Sequence, residues 1–198
     1  MLLEFGAFKK AEKELASEQA CSKINSFFSI LTIMFMQITK ATAQNRNDIT
    51  ELLQSQQLPT ADLPSTFSDF YTMIDNGIVI GLIGMERYGD YGLLRSLVVH
   101  PDYRNLQIAA TLIKMLEEQV TSSGITAMYL LTETADKYFS RKGYNTITRD
   151  EVPDEVKQSS EFSHVCPVSA IVMRKDLSNQ SYLTDASNLE RTSYQDRL

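Results

Sequence analysis

The sequence predicts an α/β fold, a mixed central β-sheet flanked by helices, and three observations carry that prediction. Short runs rich in Val, Ile and Leu, such as Ile78 to Met85, Leu93 to Val99 and Ala127 to Leu131, have strand length. Between them lie segments whose apolar residues recur at helical spacing, clearest in Ala109, Leu112, Ile113, Leu116 and Val120. The chain has 198 residues, 43% of them apolar and 22% charged, which suits one domain of ordinary size with extensions.

The elements follow in order from Met36. Met36 to Thr42 reads as a first strand, and Asn45 or Asn47 can cap a helix that carries Ile49, Leu52 and Leu53 and ends before Pro59. Pro59 to Pro64 reads as a linker. Phe67 to Ile74 and Ile78 to Met85 form a hairpin around Asp75-Asn76-Gly77, whose residues tolerate left-handed backbone. Gly89 to Gly92 turns the chain into the run Leu93 to Val99, which Pro101 stops because proline cannot donate to a ladder. A long helix then ends near Gly124. Ala127 to Leu131 reads as a buried strand, Ala135 to Lys142 as a short helix closed by Gly143, and Tyr144 to Thr148 and Ser169 to Met173 as the last strands.

The junction from Leu97 to Ala110 is the stretch on which function turns. There a strand feeds a helix whose first N–H groups lack intrahelical partners, and with the helix dipole they make a receptor for phosphate. The order Leu97-x-Val99-x-Pro101-x-Tyr103-Arg104, followed by a small-residue turn, resembles the acetyl-CoA-binding motif of the GNAT family of N-acetyltransferases. The resemblance covers about residues 36 to 175 and implies the GNAT acyl-CoA N-acyltransferase fold. It implies that Leu97, Val98 and Val99 and the loop and helix start, Arg104, Asn105, Leu106, Gln107, Ile108, Ala109 and Ala110, bind the cofactor. The backbone of Leu97 and Val99 would hold the pantetheine amides, and Thr132 and Phe139 would contact the cofactor from the neighbouring strand and helix. One departure is physical: Gln107 stands where the family has a glycine, which permits left-handed φ and close approach to a phosphate.

A second stretch is similar to an arsenic-resistance (ArsN-type) subgroup of that family. It comprises Tyr129 to Tyr144, then Arg149, Val152-Pro153, Ser160-Glu161-Phe162 and Cys166 to Ala170. The resemblance implies a detoxification setting and no particular acceptor. Arsenic binding does not follow, since soft metalloids require several thiolates and this segment offers only Cys166. Residues 1–35 read as an N-terminal extension, or as lying ahead of a true start at Met36. The reading for 36–175 is the N-acetyltransferase domain, and for 176–198 a flexible C-terminal tail.

Acyl transfer from a thioester to an amine needs a base, an oxyanion donor and a way to stabilise the leaving thiolate. Glu133, at the end of the strand beside the expected cofactor slot, is the candidate catalytic base, with Glu86 as the alternative. Arg149, Glu161 and Ser169 are the candidate acceptor contacts. His100 reads as a loop residue, His164 as a possible part of the acceptor wall, and Cys166 as a buried thiol or, less simply, an acyl carrier. Many family members protonate the thiolate with a tyrosine four residues before the glycine of the short helix. Here that position is Phe139, and Tyr138, about 100° away around a helix, is expected to point elsewhere.

The net charge of −6 argues against a nucleic-acid partner, which needs a clustered basic face. Phe27 to Phe35 is too short to span a bilayer, so no stable membrane insertion is expected. Two distant cysteines suit a reducing, cytoplasmic setting and neither a disulfide framework nor a metal site. The expected activity is acetyl-CoA-dependent acetylation of a small-molecule amine by direct attack in a ternary complex, with a homodimer left open. The alternatives are a coenzyme A-binding regulatory protein with little catalysis, and a protein N-acetyltransferase.

Overall fold

A computed structural model describes residues 36–177, so the readings for residues 1–35 and for the tail from 178 lie outside the described residues. Seven strands form one sheet in the order β1-β2-β3-β4-β5-β7-β6. They are β1 (Gln37–Lys40), β2 (Phe70–Asp75), β3 (Ile78–Tyr88), β4 (Tyr91–Val99), β5 (Ala127–Thr132), β6 (Asn145–Ile147) and β7 (Ile171–Asp176). All neighbours are antiparallel except β4 and β5. That single parallel pair requires a crossover, which is α2 (Ile108–Ser122). The remaining helices are α1 (Arg46–Ser55), α3 (Asp136–Ser140) and α4 (Asp154–Lys157).

Local chemistry sets the turns. Asn76 and Gly77 join β2 to β3 with φ of 47° and 82°, a two-residue turn that needs left-handed backbone at both positions. Thr42, whose N–H and hydroxyl both donate to Asn45 Oδ1, starts the turn that leads into α1. The expected helix cap at Asn45 is therefore spent one turn earlier.

The two faces of the sheet bury different stripes. Leu112, Ile113, Leu116 and Val120 of α2 pack with Ile83, Met85, Leu94, Met128 and Met173. On the other face Ile49, Leu52 and Leu53 of α1 pack with Phe70, Val79, Leu82 and Val98, and α4 places Val156 against Leu93, Tyr129 and Val172. Each such fully buried Leu, Ile or Val contributes about 1.5–3 kcal/mol of burial.

Strand boundaries shift by up to three residues from the sequence reading, with β3 running on to Tyr88 and β7 to Asp176, and two of the shifted starts have a local cause. β2 starts at Phe70 rather than Phe67, because Phe70 N–H donates to Phe67 O at 3.3 Å and closes a turn there, with the two rings packed edge-on at 5.3 Å. β7 starts at Ile171 rather than Ser169, because Ala170 N–H donates to Pro167 O and closes a turn there.

Candidate active site

β4 and β5 pair only at Tyr91–Ala127, Gly92–Met128 and Leu93–Tyr129, and beyond that point they part. The cause lies in β4. Between the pairs Gly84–Arg95 and Leu82–Val98, β4 advances three residues while β3 advances two, and Ser96 takes φ of 56°. Such a bulge bends its strand and shifts the alternation of its side chains. Leu94 and Leu97, three residues apart, accordingly pack on the same side of the sheet.

The parting strands open a cavity of about 470 Å³. Its walls are Leu94 to Leu97 of β4, Leu130 to Ala135 running out of β5, Tyr138 and Phe139 of α3, Gln57 to Pro59, and Glu161 with Val165 to Pro167. Of the expected residues, Leu97, Thr132, Glu133, Phe139 and Glu161 line this space. Val98 lies under α1, with Val99 packed at the edge of the α2-side core. Glu133 is exposed at the rim.

The expected cofactor loop lies beyond the end of β4. Tyr103 Oη donates to Asp75 Oδ2 at 3.1 Å, and Arg104 donates to Gln56 Oε1 at 2.5 Å, so the loop is tied to both β2 and the end of α1. Asn105 and Gln107 take left-handed φ of 65° and 60°. Gln107 thus holds the conformation for which glycine is favoured, at the position where glycine was missed. The helical ladder begins with Thr111 N–H donating to Gln107 O at 2.9 Å, so the N–H groups of Ile108, Ala109 and Ala110 precede it and are available to an anion. Unpaired strand edges over a cavity, leading to a helix start of this kind, fit a long thioester with a phosphate-bearing end.

Arg149 and Ser169 do not line the cavity. Arg149 donates to Pro167 O at 3.0 Å and lies over the Phe162 ring, bracing the loop behind the wall, and Ser169 is exposed. His164 is exposed and bonds its neighbour Ser163 at 2.7 Å. His100 instead borders a separate open hollow between α1 and the β2–β3 turn, lined also by Asp48 and Glu51.

Three features of the site were not read from the sequence. First, Tyr138 lines the cavity, contrary to the expectation that it points away, and its hydroxyl is buried without a partner. α3 has only five residues and starts at the cavity edge, so adjacent side chains both reach it. Burial raises the Tyr138 pKa, against a lowering by Arg141, and the phenol stays protonated. Second, Arg95, with 1% of its side chain exposed, is ringed by Asp62 at 2.7 Å, Glu86 and Glu161 at 3.4 Å. Burial works against its charge, yet the carboxylates hold its pKa above the usual arginine value. Glu86 has both oxygens committed, to Arg95 and to Tyr88 Oη. Third, Cys166 Sγ donates to Glu161 Oε2 at 2.8 Å, and burial together with that carboxylate pushes its pKa up to about 12. A thiol so held is a poor nucleophile.

A model of the acetyltransferase (GNAT) family matches residues 36–144, more than half of the chain. The chain belongs to the GNAT acetyltransferase family. Among curated relatives of this GNAT chain, an amino-acid acetyltransferase of Pasteurella multocida is 28% identical over 95 residues, 46% of this chain and 22% of its own length. One from Escherichia coli is 28% identical over 67 residues, 34% of this chain and 15% of its own. The chain thus spans less than a quarter of those relatives. In fold it is similar to N-acetylglutamate synthase from Neisseria gonorrhoeae, solved with coenzyme A and N-acetyl-glutamate. That match has a TM-score of 0.63 at 18% identity, covering 72% of this chain and 35% of the other. A GNAT acetyltransferase from Staphylococcus aureus matches over 72% of this chain and 99% of its own, with a TM-score of 0.59 and 19% identity.

No helix among the described residues is long and apolar enough to cross a membrane. Nor do the described residues hold a group of three or more His, Cys, Asp or Glu side chains placed for a metal ion.

Proposed function

We propose that this chain is an acetyl-CoA-dependent N-acetyltransferase that acetylates a small-molecule amine by direct attack in a ternary complex. The observation that carries this reading is the parting of β4 from β5 beyond Leu93 and Tyr129, forced by the bulge at Ser96. It leaves strand edges free to hold an extended amide-bearing arm between them, in line with the left-handed turn at Gln107 and the start of α2. Arg104, Asn105 and Leu106 frame that turn, and the N–H groups of Ile108, Ala109 and Ala110 receive the phosphates.

The bound thioester supplies an activated acetyl group and a leaving thiolate. The amine nitrogen forms its bond to the carbonyl carbon as the carbon–sulfur bond breaks. Glu133 at the rim accepts the proton that the ammonium must lose. The Tyr138 hydroxyl, protonated and without another partner, gives a proton to the departing sulfur. Phe139 closes the wall beneath it. The protonated Cys166 supports direct transfer over an acyl-cysteine route.

The subgroup resemblance from Tyr129 to Ala170 supports a role in resistance to a toxic compound, with a cytoplasmic setting. The amino-acid acetyltransferase relatives support a small amine as acceptor in preference to a protein. The test is calorimetric titration of acetyl-CoA into the full chain, followed on the same sample by thiol release with a panel of amines. Binding with amine-dependent release is expected. Binding without release would leave a coenzyme A-binding protein, and absence of binding would remove the reading altogether.

A further inference from the structure

Resting on that reading, the charge of the acceptor wall bears on which amine enters. The charged side chains that line the cavity among the described residues are Arg95, Glu133 and Glu161. A carboxylate-bearing acceptor would need a cation with donors to spare, and Arg95 has none. Its guanidinium is divided among Asp62, Glu86 and Glu161, with further weak contacts to Ser96 Oγ at 3.4 Å and Asp62 O at 3.5 Å. Among the described residues no lysine lines the space.

Three carboxylates against one guanidinium leave the cluster with net negative charge, and Glu133 adds another at the rim. Glu161 is half-buried and directed into the cavity wall, accepting from Cys166 through one oxygen, with Arg95 3.4 Å from the other. That longer separation leaves Glu161 Oε1 able to take a second donor. The same carboxylates act on Cys166, whose thiol is held protonated by burial first and then by Glu161 and Glu133, against a lowering by Arg149.

We infer that the acceptor is a cationic amine without a carboxylate, its second positive group received by Glu161 inside the wall built on Arg95. An anionic amino acid such as glutamate would place its side-chain carboxylate in a space whose unspent charge is also negative, a repulsion costly in a partly desolvated site.

The experiment compares 1,4-diaminobutane with 4-aminobutyrate, similar in reach and opposite in terminal charge, at saturating acetyl-CoA. The diamine is expected to have the higher kcat/KM by at least about tenfold, mainly through KM. In Glu161→Gln, which preserves the hydrogen-bonding shape, that ratio is expected to shrink severalfold, whereas a purely structural role for Glu161 would lower both acceptors alike and leave the ratio fixed. Equal or greater turnover of 4-aminobutyrate by the unsubstituted protein, or an unchanged ratio in Glu161→Gln, would overturn the inference while leaving the acetyltransferase reading intact. Acetyl-CoA binding without turnover of any amine in the panel would instead remove the acetyltransferase reading, and this inference with it.

Discussion

Tyr138 and Phe139 are neighbours on one short helix with rings 5.5 Å apart, edge to face, yet only Tyr138 carries a polar atom, a hydroxyl buried without a partner in the cavity wall. Phe139 leans on Tyr144 at 5.5 Å and belongs to the α2-side core. Tyr138→Phe is therefore expected to lower kcat by about ten- to a hundredfold, with little change in acetyl-CoA affinity or melting temperature. The converse substitution Phe139→Tyr puts a hydroxyl among apolar neighbours and is expected to cost about 1–3 kcal/mol of stability. Thiol-release kinetics and thermal melts on both variants check the pair. Retention of full kcat in Tyr138→Phe would end its assignment as proton donor.

Gln107 holds φ of 60°, a conformation that costs a residue with a Cβ about 1–2 kcal/mol relative to glycine. Gln107→Gly is expected to raise the unfolding free energy by about 1 kcal/mol and to tighten acetyl-CoA severalfold by letting the turn approach the phosphates. Gln107→Val, β-branched, should lose on both counts. Denaturant melts and calorimetry read both effects, and weaker cofactor binding by Gln107→Gly would contradict this account of the turn.

Gly84 and Gly92 test packing around the bulged strand. A Cβ on Gly84 would enter the Phe70 ring, which is itself wedged against Phe67, and Gly84→Ala is expected to cost about 3 kcal/mol. A Cβ on Gly92 would lie 2.5 Å from the sulfurs of Met85 and Met128, flexible side chains that can yield. Gly92→Ala should then cost nearer 1 kcal/mol, and urea unfolding of both variants would show the order.

Cys166, with its pKa pushed up to about 12, should be almost inert to alkylation at pH 8, where the thiolate fraction is on the order of one in ten thousand. Because the folded value lies above the unfolded one, the native state keeps its proton longer, and the contribution to stability is lost as pH rises from about 9 towards 12. Glu161→Gln removes the adjacent charge and is expected to speed alkylation. Peptide mass mapping reads Cys166 separately from Cys21, and rapid labelling of Cys166 in the unsubstituted protein would show that its thiol is not held in this way.

Much of the fold could be read because each element advertises its own boundaries. The α2 stripe, the Asn76-Gly77 turn and the stop at Pro101 are local signals, and the need for left-handed backbone at Gln107 follows from the glycine it replaces. The cavity wall around Arg95 left no such mark. Asp62, in a stretch that reads as a linker, reaches Arg95 across 33 residues, and Ser160 Oγ meets Asp62 Oδ2 at 3.0 Å across 98. A charged Arg95 inside the apolar run Leu93 to Val99 was the available hint that something opposite must neutralise it. Tyr138 was misplaced for a different reason: angular spacing on a helix separates faces only when the helix is long enough to have them.

The bond between Ser160 and Asp62 has a kinetic meaning as well. It joins two connecting segments, neither of which owns a hydrophobic core, and closing so long a loop brings no return until the sheet between them exists. The cavity wall around Asp62 and Glu161 should thus be the last region to order during folding and among the first to exchange its amide hydrogens under native conditions, while the paired strands of the sheet remain closed.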